Sequence, residues 1–490
     1  MSPTNALDLP EIVQHVGTYL TRFNLVQCLT VCKAWHCTFL PLVWKEVTVG
    51  HRSFLHNRKG PHAEVLERHR HLVSALGIKN DVRSTFAFKY PNLKTLGFAL
   101  FSHILALSSG NELSYLDGLL QLIARNPLVE RLNLFGFDEC TTTELWAAVA
   151  DLSLLKELEL ERSLVPDAQV DDFWRACSHL RCLRLIDINI EGKGGLDRVE
   201  FPQLRELRME LVGGLDAMGQ LDLMSRCPQL EGLVWEVWKD WDRFKASKVW
   251  ETFAQRAASG TWRNLRQLTL NLDMHNMELS QVIGALNQAS KFELALQGIG
   301  PLAFRSLQLH TNSLRELRFP TSKQLSGSML RDIFCCFPEL EILKCGSIFA
   351  KDVVEGGPWV CQSLRDLCVL FLFREGEQDL QPLIFQRLSK LVKLESFSNG
   401  SETIEKASDF QALDFRMQSG LGALASLQKL KCLNVYNTRQ WMGIEEAEWI
   451  LAHLRNLQLL RGLMNPDQGI NSRMKKLLFG HGIKTVGLVP

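Results

Sequence analysis

No charge sign dominates this 490-residue chain: 55 Lys and Arg stand against 54 Asp and Glu, a formal net charge of +1. That balance excludes a global basic field for nucleic acid and a global acidic one for cationic substrates, leaving electrostatic recognition to local patches. No C-x-x-C pair occurs among its 13 cysteines. An odd, scattered set in so long a chain reads as reduced, mostly packed thiols of a cytoplasmic or nuclear protein, not a secreted disulfide framework. Long apolar runs are missing too. The longest stretch without Asp, Glu, Lys or Arg covers residues 95–111 and includes serines and a histidine, short of the ~20 apolar residues a spanning helix needs. The first eight residues lack the basic start and apolar core of a signal peptide.

The motifs of common chemistries are absent as well. There is no G-x-x-x-x-G-K-[ST], G-x-G-x-x-G, H-E-x-x-H or G-x-S-x-G, so the chain reads as non-enzymatic, with no cofactor and no metal. Cys28, Cys32, His36 and Cys37 lie close together but lack the two tight ligand pairs of a zinc site and read as packing residues. The run Arg68-His69-Arg70-His71 reads as a solvated face. Asp171-Asp172 and Glu445-Glu446 are adjacent pairs that diverge on a helix and are expected at the surface. Asn399-Gly400-Ser401 fits a glycosylation acceptor, which a cytosolic chain would not use.

What is present is a recurrent phrase. Pro91-Asn92-Leu93-Lys94-Thr95-Leu96-Gly97-Phe98, Pro202-Gln203-Leu204-Arg205-Glu206-Leu207-Arg208-Met209 and Pro338-Glu339-Leu340-Glu341-Ile342-Leu343-Lys344-Cys345 place apolar residues in one register. Its central leucines fall at 76, 96, 132, 158, 183, 207, 233, 268, 294, 317, 343, 367, 394, 433 and 457, and ten of the fourteen intervals are between 23 and 27. L-x-x-L-x-L at that period is the leucine-rich-repeat signature. One unit cannot cover its own apolar face, so the copies must stack. The expected fold is an α/β solenoid, a leucine-rich-repeat horseshoe with a parallel inner sheet over residues 73–490, C-terminal cap included. Segments such as 171–177 have the apolar spacing of returning helices. Cys177, Cys227 and Cys336, three or four residues ahead of Leu180, Leu230 and Leu340, resemble the buried thiol of the cysteine-containing repeat subclass.

The strand residues beside the inward leucines face the concave side. Early repeats offer Arg131, Glu157, Glu159, Glu161, Arg184, Glu206, Arg208, Glu210 and Glu236 there, whereas later ones offer mostly uncharged residues such as Gln267, Asn271, Cys368, Asn434 and Tyr436. Glu157, Glu159, Arg184, Arg208 and Glu210 are therefore candidate contacts for a protein target carrying Lys or Arg. Three long intervals, of 36, 35 and 39 residues, hold insertions expected in loops. The middle one carries Trp235, Trp238, Trp241 and Phe244 at steps of three, and Trp238 and Trp241 are candidate target contacts.

Residues 7–48 differ in character. Asp8 is placed to cap a helix with Pro10 in its first turn and Glu11 closing a capping box; Ile12, Val13, Val16 and Leu20 then form one face. Asn24 is placed to cap a second helix, and a third is expected to stop at Pro41. Leu9-Pro10-Glu11-Ile12, Leu20, Leu25, Leu29, Val31-Cys32-Lys33-Ala34-Trp35 and Leu42-Val43-Trp44-Lys45-Glu46-Val47 resemble an F-box, a small three-helix module; Gly17-Thr18 departs mildly from the pattern. A helical, basic joining segment, 49–72, follows.

The resemblance implies a non-catalytic substrate receptor that docks on the adaptor of an SCF ubiquitin ligase, and through it on cullin, while the repeats bind an as yet unspecified protein target. By that resemblance Leu9, Pro10, Ile12, Leu20, Leu25, Val31, Trp35 and Trp44 pack the module and meet the adaptor. An interaction scaffold with no part in ubiquitination is the alternative. Neither nucleic acid nor membrane is expected as a partner.

Overall fold

The computed structural model describes residues 9–50, 61–79, 87–100, 112–137, 142–192, 194–237, 243–271, 274–295, 299–319, 325–400 and 411–486. The chain divides into two compact units, Met1–Leu230 and Glu231–Pro490.

The first unit begins with three helices, α1 (Pro10–Gly17), α2 (Arg22–Cys28) and α3 (Lys33–Trp44). Val13, Leu25, Phe39 and Val43 are buried between them, with Leu20, Leu29, Trp35, Leu42 and Trp44 packed around that core. Several boundaries differ from those read in the sequence. Leu9, not Asp8, is the N-cap of α1, and no side chain caps it; Asp8 lies outside the described residues. Thr21 caps α2, accepting the Asn24 N–H at 3.3 Å. Pro41 lies inside α3; close to its C-terminal end, it removes one N–H bond without stopping the helix. Gly17 ends α1. It is buried, and a Cβ there would come 2.5 Å from Leu42 and 2.8 Å from Phe39, so its bareness lets α1 approach α3.

The sheet starts before the leucine repeat does. Directly after α3 the chain forms β1 (Glu46–Gly50), parallel to β2 (Ala75–Lys79), with Val47 opposite Leu76 and Val49 opposite Ile78. The last residues assigned to the helical module thus belong to the sheet. The described part of the joining segment, α4 (Ala63–His69) and a 3-10 turn Arg70–Leu72, is the crossover between β1 and β2.

Strands β3 (Thr95–Ala99), β4 (Arg131–Phe135), β5 (Glu157–Val165), β6 (Cys182–Ile190) and β7 (Glu206–Glu210) continue in chain order, all parallel. Leu76, Leu96, Leu132, Leu158, Leu183 and Leu207 lie in one register row and are fully buried. Because the sheet is parallel, each connection must cross back over one face. Helices Glu112–Arg125, Thr143–Ala150 and Val170–Cys177 do so, the last burying Phe173, Trp174 and Cys177 against the leucines. Where helix returns to strand, Tyr90, Asn126, Cys177, Phe201 and Cys227 occupy the same place, three residues ahead of the first apolar position, and all are buried. Cys336 departs from the expectation. It sits one residue too early and is exposed, and Phe337 fills the buried place instead; Cys361, three residues before Leu364, is the third buried thiol of this type.

The second unit repeats the design with β8 (Gly232–Glu236), β9 (Gln267–Asn271), β10 (Lys291–Ala295), β11 (Glu316–Arg318), β12 (Ile342–Phe349), β13 (Asp366–Phe373), β14 (Ser396–Ser398), β15 (Gln411–Ala412), β16 (Cys432–Asn434), β17 (Leu459–Arg461) and β18 (Lys484–Val486). All pair in parallel except the two-residue β15, antiparallel to the end of β13. The central row here runs Leu233, Leu268, Phe292, Leu317, Leu343, Leu367, Phe397, Leu433 and Leu460. Positions 294, 394 and 457 are therefore not centres. Leu294 is the second inward residue of β10 and Leu394 precedes β14, because Phe292 and Phe397 do the work of leucine; Leu457 precedes β17, whose centre is Leu460. Part of the extra length in the first two long intervals forms crossover helices, Glu112–Arg125 and Arg243–Ala258. Both units are leucine-rich-repeat solenoids.

Candidate partner-binding surfaces

The three-helix module carries more apolar surface than its core can use. Leu9, Ile12, Val16, Tyr19, Phe23, Val26 and Val31 are all exposed, Tyr19 by 78%, Phe23 by 64% and Val31 by 61%. Helix α1 turns Val13 and Gly17 inward, so Ile12 and Val16, expected on the inner face, point to solvent. The eight residues assigned to the module divide cleanly. Leu25 is core, Leu20, Trp35 and Trp44 pack half-buried against it, and Leu9, Pro10, Ile12 and Val31 are exposed. Val16, read from the sequence as an inner-face residue, and Tyr19, Phe23 and Val26, which the sequence reading does not single out, belong with the exposed set. Their signal was surplus: more apolar positions per helix than one inward face holds. Isolated exposed apolar residues are ordinary, but seven within 23 residues are a concentration that single exposures do not explain.

On the concave face, register decides the electrostatics. Arg131 and Glu157 are opposite on β4 and β5 and pair at 3.0 Å. Arg184 lies between Glu159 and Glu206, at 3.5 and 3.6 Å. Arg208 holds Glu210 at 2.7 Å. Glu157, Glu159, Glu206 and Glu210, expected to greet a basic target, are thus engaged by arginines of the same sheet. In the second unit the face is not mostly uncharged either: Lys291 bridges Glu293 and Glu316, Arg318 pairs with Glu316, and Lys344 holds Asp366 at 2.9 Å. Exposed pairs of this kind contribute little stability each, of order 0.2–1 kcal/mol, but they leave few bare carboxylates. Trp235 is an inward strand residue, fully buried and edge-on to Trp250 at 5.1 Å. Trp238 and Trp241 lie outside the described residues.

The other polar candidates have structural partners. Cys32 caps α3, its Sγ accepting the Trp35 N–H, and His36 Nδ1 sits 3.2 Å from the Leu29 carbonyl. Asn399 is fully buried; its Oδ1 accepts the Phe371 N–H at 3.1 Å and its Nδ2 donates to the Leu413 carbonyl, so no glycosylating enzyme reaches it in the folded chain. Glu446, expected at the surface, is buried and accepts the Gly443 and Met417 N–H groups. Asp171 accepts the Gly195 N–H. Burial pushes the Cys177, Cys227 and Cys345 thiols well above their ordinary range and those of Cys182 and Cys361 up to about 12, which keeps them as thiols, unreactive as nucleophiles. Among the described residues no three His, Cys, Asp or Glu converge as a metal site, and no described helix is long and apolar enough to cross a membrane.

No protein-family model matches this chain, and no curated protein matches it. Among solved structures it is similar to an internalin from Listeria monocytogenes, at 16% identity and a TM-score of 0.35 over 76% of this chain and 83% of that one. It is similar to a chain of the Rad7 and Elc1 complex in yeast, at 13% identity and a TM-score of 0.41 over 81% of each. A third is a chain of a TLR13–ssRNA13 complex, at 14% identity and a TM-score of 0.34 over 85% of this chain and 68% of that one. The solenoid assignment rests on the strand register itself.

Proposed function

We propose that this chain is a substrate receptor: its N-terminal three-helix module, read as an F-box, docks on the adaptor of an SCF ubiquitin ligase, and its repeats present a protein target. The observation that carries this reading is the exposed apolar set Leu9, Ile12, Val16, Tyr19, Phe23, Val26 and Val31, on a module whose sequence has the F-box pattern. A four-residue core is too small to stabilise such a module alone. It runs directly into the solenoid through β1, and its exposed apolar residues are left for a partner. The chain supplies no chemistry of its own in this role; it holds two proteins together. The described cysteines are all free, in keeping with the cytoplasm or nucleus, where thiols stay reduced.

Co-purification with adaptor and cullin, compared between the wild type and Leu9→Ala/Pro10→Ala, tests the reading. Capture of both by the wild type and loss in the variant supports it. Failure of the wild type to retain the adaptor overturns it. Adaptor capture without ubiquitin transfer to any bound protein would favour a scaffold instead.

A further inference from the structure

Net positive charge in the first unit gathers not on the concave face but along the edge where the strands begin. The residue just before each strand passes its carbonyl to two N–H groups of the next repeat: Lys45 to Ser74 and Ala75, Ser74 to Lys94 and Thr95, Lys94 to Glu130 and Arg131, Glu130 to Lys156 and Glu157, Lys156 to Arg181 and Cys182, and Arg181 to Arg205 and Glu206. That ladder aligns Lys45, Ser74, Lys94, Glu130, Lys156, Arg181 and Arg205 in one row. Five bases face a single acid. Glu130 is shared between Lys94 at 3.1 Å and Lys156 at 2.7 Å, so one carboxylate compensates two ammonium groups and leaves a charge over. In the adjacent row Arg131 holds Glu157, Arg184 is shared by Glu206 and Glu159, and Glu46 stands exposed beside Lys45, so these acids reduce the surplus without cancelling it. The crossover before β2 meets the same edge at one point, where the His71 carbonyl accepts the Asn92 amide at 2.6 Å, two residues ahead of Lys94; its Arg68 and Arg70 are matched in number by Glu64 and Glu67.

We propose that this edge binds an acidic polypeptide segment in extended conformation. Seven strands at ~4.8 Å spacing make a row roughly 29 Å long, the reach of about nine extended residues at ~3.3 Å each. Carboxylates or phosphates on such a segment meet Lys45, Lys94, Lys156 and Arg181, of which Lys45, Lys94 and Arg181 are exposed and Lys156 half-exposed. A protein segment fits better than single-stranded nucleic acid, because the row holds no aromatic residue on which bases would stack. The proposal deepens the target-capture half of the function above and does not depend on the adaptor.

Fluorescence anisotropy of a labelled poly-glutamate peptide of about ten residues, titrated with the full chain and no ligase component, tests it. The expected result is salt-sensitive binding that Lys156→Glu or Arg181→Glu each weakens about threefold to tenfold. Glu130→Gln, which frees two lysines, is expected to bind more tightly, a gain that misfolding cannot produce. Binding that ignores all three substitutions overturns the proposal. So does tighter binding of a single-stranded RNA of equal charge with the same dependence on these residues, which would make the edge a nucleic-acid site. Adaptor capture is measured separately, so either reading can fail alone.

Discussion

Trp44, the last residue of α3, stacks on His69, the last of α4, with ring centroids 4.7 Å apart and planes 26° from parallel. The contact joins the three-helix module to the first crossover of the solenoid, beside the β1–β2 pairing. His69 is held below its ordinary pKa first by burial, then by Arg68, His71 and His36. A group depressed in this way favours the neutral imidazole in the folded chain. Its contribution is complete above the unfolded value of about 6.5 and is lost as pH falls through the lower folded value. Between about pH 7.5 and about pH 5 the wild type should therefore lose more thermal stability than His69→Phe, which keeps a stacked ring but cannot titrate. Equal losses would show that the stack carries no pH dependence.

Gly17 makes the module's packing sharply size-dependent. A Cβ at that position meets Leu42 and Phe39, so Gly17→Val should destabilise the module by about 1–3 kcal/mol through overpacking, with Gly17→Ala milder. Proteolytic cleavage within residues 9–44 reads this directly. Unchanged protection in Gly17→Val would contradict the close approach of α1 to α3.

Much of the solenoid was legible in the sequence because its leucines repeat in phase with the strands they build; six of them fall in one unbroken row from β2 to β7. The row slipped where phenylalanine replaced leucine, at Phe292 and Phe397, since the nearest leucine then drew the assignment to 294 and 394. β1 was hidden because its valines end a helical module whose own pattern accounted for them. The helix periodicity in α1 located apolar residues but not their orientation: Ile12, Val13 and Val16 are equally apolar, and only the fit of Gly17 against Phe39 decides that Val13 goes in. Charge pairing on the concave face escaped for a related reason. Summing acids and bases discards register, and it is register that sets Arg184 opposite Glu159, with Glu206 within reach on the diagonal.

Asn399 ties three strands' worth of backbone together in the second unit. With its amide gone, the buried Phe371 N–H and Leu413 carbonyl lose this partner, and Asn399→Ala should lower unfolding free energy by about 2 kcal/mol. Chemical denaturation measures it. A shift within error would mean that water or a local rearrangement replaces both bonds.

Thiol reactivity should separate by position. Cys32, Cys37 and Cys336 are exposed and should react with an aromatic disulfide reagent in the native state, whereas Cys177, Cys227 and Cys361, all buried, should react only after denaturation. Peptide mapping of the labelled sites gives the answer. Rapid native labelling of Cys227 would contradict its place in the core.

Adaptor docking, as proposed, depends on the exposed apolar surface of the three-helix module. Binding of the purified SCF adaptor to the full chain should be lost in Ile12→Ser/Phe23→Ser, both exposed on the module, and retained in Leu309→Ser, which is 72% exposed in the second unit. Equal adaptor affinity in all three proteins, or none in the wild type, would contradict it.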